Sequence, residues 1–398
     1  MTDTSNGSKG PLFAYKMGER LENRLGEAIR NTSLQAPVLE EGMEAEMGSW
    51  YRVPLADGMS GDGSAYHIYV KKAQSKDLII FFSGGGVAWN EYTAARPSTG
   101  GRITAGEPNF YWNNLRPFTQ IMNIKVGITE DINPRNLFKD WNQLVISYAT
   151  GDLHVGRNEF PYKDEEGKEN ILHFHGYDNY KAAMEAAKGL FPDPERLLIA
   201  GDSAGGFAVP ALAEEIADDH YPLVRDITLL SDSSLLLYDK WKETARDIWR
   251  CPDHLWQAIE SDNITLDWYK RLVKSSPGRF RCLYASSVRD YLLAAYLNDM
   301  EYRIYGSYSE VQEEYFDQMK EMIGELKELD AGFHFFISDF KNMMLIKGGM
   351  RGGTTHTLVR TLNFHNPGPD GVSMERWLYD AVNGDPYSCG LSLIRDEP

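Results

Sequence analysis

Arg196-Leu-Leu-Ile-Ala200, Gly201-Asp202-Ser203-Ala204-Gly205 and Phe207-Ala-Val-Pro-Ala-Leu-Ala-Glu-Glu-Ile216 form the stretch that decides how this chain folds. The first segment is a short apolar run suited to a buried strand. The last is alanine-rich, with apolar positions at Phe207, Ala211, Leu212 and Ile216, and reads as a helix. Between them a serine is flanked two positions away on each side by glycine. A serine on a tight strand-to-helix bend needs that spacing, because a Cβ at either flanking position would strike the adjacent backbone. The plain alternative is a glycine-rich βα turn without chemistry. Pro210 lies beyond the first turn, so a bend is expected there.

Outward from this bend, residues 49–55 and 64–71 alternate like antiparallel strands. Asp77-Leu-Ile-Ile-Phe-Phe-Ser83 is a continuous apolar run fit for a sheet covered on both faces. Further strands are expected at 144–148, 196–200, 226–230, 279–287 and 332–338, and helices at 175–189, from 290 and at 309–328. Strands alternating with helices predict an α/β fold, a mostly parallel sheet with helices on both faces. Two stretches interrupt it. Residues 87–139 are rich in Asn, Pro, Gly and aromatics without periodicity, and read as an insertion near the site. Residues 239–275, carrying Trp241, Trp249, Trp256 and Trp268, read as a helical cap over the pocket.

At 398 residues and 42% hydrophobic, the chain can bury a large core, so we expect one elaborated domain over 49–398 after an extension at 1–48. A net charge of −17 repels phosphate backbones and anionic lipid, which argues against nucleic-acid and membrane partners. Cys251, Cys282 and Cys389 are too few and too scattered for a disulfide scaffold or a zinc site, and no metal or cofactor is expected. The first ten residues lack a signal-peptide pattern, and no apolar run reaches 18 residues. An intracellular, soluble protein is expected.

A serine hydroxyl needs a base to become nucleophilic and an acid to orient that base. His356 sits in a glycine-rich loop after the last predicted strand and is the favoured base, with His365 as the alternative. His334 belongs to a strand. Asp290, after the 279–287 strand, is the favoured acid ahead of Asp339 and Asp299, although an aspartate there could simply cap a helix. Donors for a developing oxyanion would be the N–H of Ala204 and those of Gly85 or Gly86 in Ser83-Gly-Gly-Gly86. No Gly-Lys-Ser/Thr follows that triplet, so a phosphate loop is not indicated.

Four segments together resemble the pectin acetylesterase and Notum family of α/β-hydrolases. They are Ile79-Ile-Phe-Phe-Ser-Gly-Gly-Gly86, Ser147-Tyr-Ala-Thr-Gly-Asp-Leu-His-Val-Gly156, Gly201-Asp-Ser-Ala-Gly-Gly206 and Thr355-His-Thr357. The resemblance spans roughly residues 48–385 and implies that Asp290 stands where the family places its acid. It also implies an acetylesterase acting on carbohydrate esters. The family commonly has Trp-Cys where this chain has Val87-Ala88, and cysteine at the positions of Ala149 and Asp202. The missing cysteines fit the loss of secretory disulfides, and Val87 alters the acyl pocket. Val87 and Trp89, with Asp152 and His154 at the end of a neighbouring strand, are candidate substrate contacts. For Asp152 and His154 the structural reading is favoured.

The expectation is therefore a serine esterase for acetyl esters of small molecules or oligosaccharides. One alternative is a carboxylesterase like the hormone-sensitive lipase group, taking small hydrophobic esters. The other is a non-catalytic binding protein that retains the fold.

Overall fold

The computed structural model describes residues 35–115, 123–329, 332–343, 350 and 352–395, which leaves most of the 1–48 extension outside the described residues. Its strands are β1 (Trp50–Met59), β2 (Ala65–Lys71), β3 (Leu78–Phe82), β4 (Asn142–Ile146), β5 (Asn158–Lys163), β6 (Glu169–Phe174), β7 (Arg196–Asp202), β8 (Asp226–Asp232), β9 (Arg281–Ser287) and β10 (Phe333–Ser338). Among the described residues, eight of these form one sheet in the order β1-β2-β4-β3-β7-β8-β9-β10. The β1/β2 and β2/β4 pairs are antiparallel and the rest are parallel.

All five residues of β3 are buried, as a strand covered on both faces requires. Leu78, Ile80 and Phe82 enter one core, packed with Tyr180 of α1 (Gly176–Leu190), Leu212 of α2 (Ala204–Glu215), Leu272 of α3 (Ile264–Ser275) and Met319 below. Ile79 and Phe81 enter the opposite core with Phe364, Trp377 and Leu378. The three remaining long helices are α4 (Tyr291–Tyr302), α5 (Ser309–Leu329), which carries Met319, and α6 (Met374–Val382). Beyond α6, residues 388–390 run along the outer side of β10. Cys389 N–H donates to Phe335 O at 2.8 Å, and Ile337 N–H donates to Cys389 O at 3.0 Å.

Helix α2 runs on through Pro210, where a bend was expected. Proline leaves the Gly206 carbonyl without its helical donor, and the Ser231 hydroxyl of β8 donates to it at 2.8 Å. The 239–275 segment is core rather than cap. Trp241, Trp249 and Trp268 are fully buried, and α3 packs beside α2 on one face of the sheet. The 158–174 hairpin and α6 were not foreseen. Cys251, Cys282 and Cys389 are buried. Among the described residues no helix is long and apolar enough to cross a membrane.

Candidate active site

Ser203 sits at the carboxyl end of β7, immediately before α2, with φ 51° and ψ −126°. That left-handed backbone is costly for a residue with a side chain and persists only where its surroundings fix it. They do so here. A Cβ on Gly201 would lie 2.2 Å from Gly205 O, and one on Gly205 would lie 1.9 Å from Phe82 O, so both flanking glycines are sterically required. Ser203 N–H is held by Asp232 O at 2.8 Å.

The glycine loop after β3 comes directly against this bend. A Cβ on Gly84 would meet Asp202 O at 2.5 Å and Ser203 Cβ at 2.7 Å. Gly84 N–H is committed to Asp202 Oδ1 at 2.8 Å. Gly85 and Gly86 line the same cavity as Ser203, and among the described residues their N–H groups have no acceptor. Ala204 occupies the first helical position of α2, where an N–H has no intrahelical partner. These three are the candidate oxyanion donors.

Asp290 and His356, 66 positions apart, meet here, with His356 Nδ1 at 2.7 Å from Asp290 Oδ2. Asp290 is fully buried, and its other oxygen accepts the N–H groups of Leu292 and Leu293, capping α4. One carboxylate thus both caps α4 and contacts the candidate histidine. Its contact fixes the proton on Nδ1 and leaves Nε2 free to accept one. Burial alone would lower the imidazole pKa, but the carboxylates of Asp290, Asp202 and Asp232 outweigh it and hold His356 above its ordinary value. The loop bearing His356 is tied down on both sides. Thr354 N–H donates to Arg289 O, and Leu358 and Val359 N–H both donate to Asp232 Oδ2, at 2.6 and 2.8 Å.

Ser203 and His356 line one cavity of about 380 Å³, without a direct hydrogen bond between their side chains. Such contacts commonly shorten only when substrate is bound. The 87–139 insertion contributes Ile103 and Trp112 to the wall, and α4 contributes Tyr291, Leu292 and Tyr296.

Other candidates lie elsewhere. His365 stands between Glu375 at 2.9 Å and Glu130 at 3.0 Å, outside the cavity wall. Asp299 pairs with Tyr92 and Arg303. Gly348, Gly349 and Arg351 of the histidine loop fall outside the described residues. Val87, Trp89, Asp152 and His154, read as possible substrate contacts, are buried and do not line the cavity. Trp89 packs edge-on to Phe110 behind the wall. Asp152 accepts Thr150 Oγ1, His154 N–H and Gly176 N–H, and His154 Nε2 lies 2.9 Å from Ser83 O. Both polar side chains are spent on the protein itself. No 239–275 residue reaches the cavity either.

Sequence reading missed Arg360, which lines the cavity and forms a buried two-pronged pair with Asp202 at 2.7 and 3.0 Å. An arginine four residues after the histidine carries no signal without a fold. Among the described residues, no group of three or more His, Cys, Asp or Glu side chains could hold a metal ion.

The pectinacetylesterase family profile matches residues 55–323. Among solved structures, the Wnt deacylase Notum from Drosophila superposes with a TM-score of 0.55 at 15% identity, covering 85% of this chain and 95% of that one. The shared architecture is the α/β-hydrolase fold. Among curated proteins, no relative matches. With well over half of its length matched by the family profile, the chain belongs to the pectinacetylesterase family and is a carboxylic ester hydrolase.

Proposed function

We propose that this protein is a serine esterase in which Ser203, His356 and Asp290 act as a triad. His356 Nε2 takes the Ser203 proton as Oγ attacks the ester carbonyl. The N–H groups of Ala204 and of Gly85 or Gly86 hold the tetrahedral oxyanion. Collapse expels the alcohol, which receives the proton from Nε2, and leaves an acyl-serine. Water, deprotonated by the same nitrogen, then attacks that acyl group and releases the acid. The observation that carries this reading is the 2.7 Å contact between Asp290 and His356, made on the wall of the cavity that the strained Ser203 also lines.

Family membership favours acetyl esters of carbohydrate as substrates. The cavity favours a second reading, since about 380 Å³ walled by Ile103, Trp112, Leu292 and three tyrosines exceeds what an acetyl group fills and suits small hydrophobic esters. Ser203→Ala should lower kcat by about 10³-fold or more while the folding transition is retained. Full turnover by that variant would remove the proposal. Acid release from acetylated oligosaccharides, set against synthetic esters of rising acyl length, decides between the two substrate readings.

A further inference from the structure

Asp202 immediately precedes the proposed nucleophile, and its carboxylate touches two separate loops. Oδ1 accepts Gly84 N–H from the glycine loop after β3, at 2.8 Å. Oδ2 accepts Nε and Nη2 of Arg360 from the histidine loop, at 3.0 and 2.7 Å. Its own backbone is the last residue of β7, leading into the strained Ser203. Both members of the pair are nearly buried, with side-chain exposures of 6% for Arg360 and 4% for Asp202. The guanidinium also lies 5.4 Å from the Phe81 ring centroid on β3.

A buried ion pair is a poor source of stability by itself, because the desolvation of both charges offsets their attraction. What such a pair supplies is geometry. Two N–H groups of the planar guanidinium fork converge on the one oxygen Oδ2, a contact that a lysine ammonium would not reproduce. The carboxylate also consumes the Gly84 N–H, which leaves the next two amides of that loop as its free donors. We propose that Asp202 is a positioning residue for the ester hydrolysis. Through Gly84 and Arg360 it keeps the oxyanion loop, the serine bend and the histidine loop in register. This inference rests on the triad reading above.

The charges facing His356 are Asp290 at the end of β9, Asp202 at the end of β7 and Asp232 at the end of β8, with Arg360 on its own loop. The base works only when neutral, so activity rises with pH through its pKa. Replacing Asp202 by Asn removes a negative charge near the imidazole, which favours the neutral imidazole, so the acid limb of the kcat/KM profile moves to lower pH. A residue that merely held the fold together would not move it.

The test compares Asp202→Asn, Arg360→Lys and Ser203→Ala in the full-length protein, with an acetyl ester and a longer synthetic ester as probes. The expected result for Asp202→Asn is a kcat lowered about tenfold or more, KM within about threefold and an acid limb displaced downward. Arg360→Lys keeps the charge but loses the fork. It is expected to lower kcat to a similar degree with the acid limb in place, and it decides the matter alone if Asp202→Asn does not fold. A folded Arg360→Lys enzyme with kcat within twofold of the parent overturns the proposal, as does a folded Asp202→Asn enzyme with an unmoved acid limb. Either result alongside an inactive Ser203→Ala leaves the triad standing. Full activity of Ser203→Ala instead removes the triad on which this inference rests.

Discussion

Asp290 caps α4 and also contacts His356, and two substitutions separate the cap from the proposed acid role. Asn retains an oxygen for the Leu292 and Leu293 amides but turns an N–H₂ group or a reoriented amide toward His356, so the imidazole loses its enforced tautomer. Asp290→Asn should therefore fold with near-parental stability while kcat drops about 10³- to 10⁴-fold. Asp290→Ala should lose the cap as well, costing about a further 1 kcal/mol in urea unfolding. Equal activity in parent and Asn variant would refute the assignment. At this scale the sequence was informative where chemistry depends on local pattern. The bend at Ser203 was legible through its glycines, and the place of His356 through a loop after the last strand. Asp202 and Arg360 were silent because a pairing across 158 positions exists only once three loops converge.

Among the elements, the passage of α2 through Pro210 depends on a hydroxyl borrowed from the neighbouring strand. Ser231→Ala would leave the buried Gly206 carbonyl unpaired and should cost about 1–3 kcal/mol of unfolding free energy. In a Pro210→Ala background the helix regains its own donor, so the same serine change should cost markedly less. Equal costs in both backgrounds would show that the hydroxyl is not compensating for proline. The parallel strands were legible because each is a short, mostly apolar run bounded by turn or helix signals. The β5–β6 hairpin was not, since its exposed positions mix Glu159, Lys163 and Glu169 with Pro161 and Ile171, and its partner is only itself. The four tryptophans at 239–275 misled because aromatic density marks a core as readily as a cap. What separates those cases is the identity of the neighbouring element, here α2.

For the whole molecule, four titrating groups, three of them buried and His67 half-buried, pull stability in opposite directions as pH rises. Burial raises Asp152 and Asp232 from 3.8 to about 6, so the native state holds protons that the unfolded chain has released, and each lowers stability as pH climbs from 4 to 6. Burial lowers His67 and His154 from 6.5 to about 4, so each raises stability across nearly the same window. Each group is worth about 3 kcal/mol, so the four nearly cancel. Asp232→Asn removes one carboxylate while keeping an acceptor for Leu358 and Val359. Its stability relative to the parent should therefore climb between pH 4 and 6, by about 2 kcal/mol. Parallel urea-unfolding profiles for the two proteins would contradict this account.

The strip at 388–390 gives the sheet a closed margin on its β10 side. An extended segment from a neighbouring molecule finds the Phe335 carbonyl and the Ile337 amide already engaged, so growth of the ladder from copy to copy must first peel that strip away. The end of the described chain thereby acts as a selvedge, guarding a very apolar parallel sheet against templated self-association.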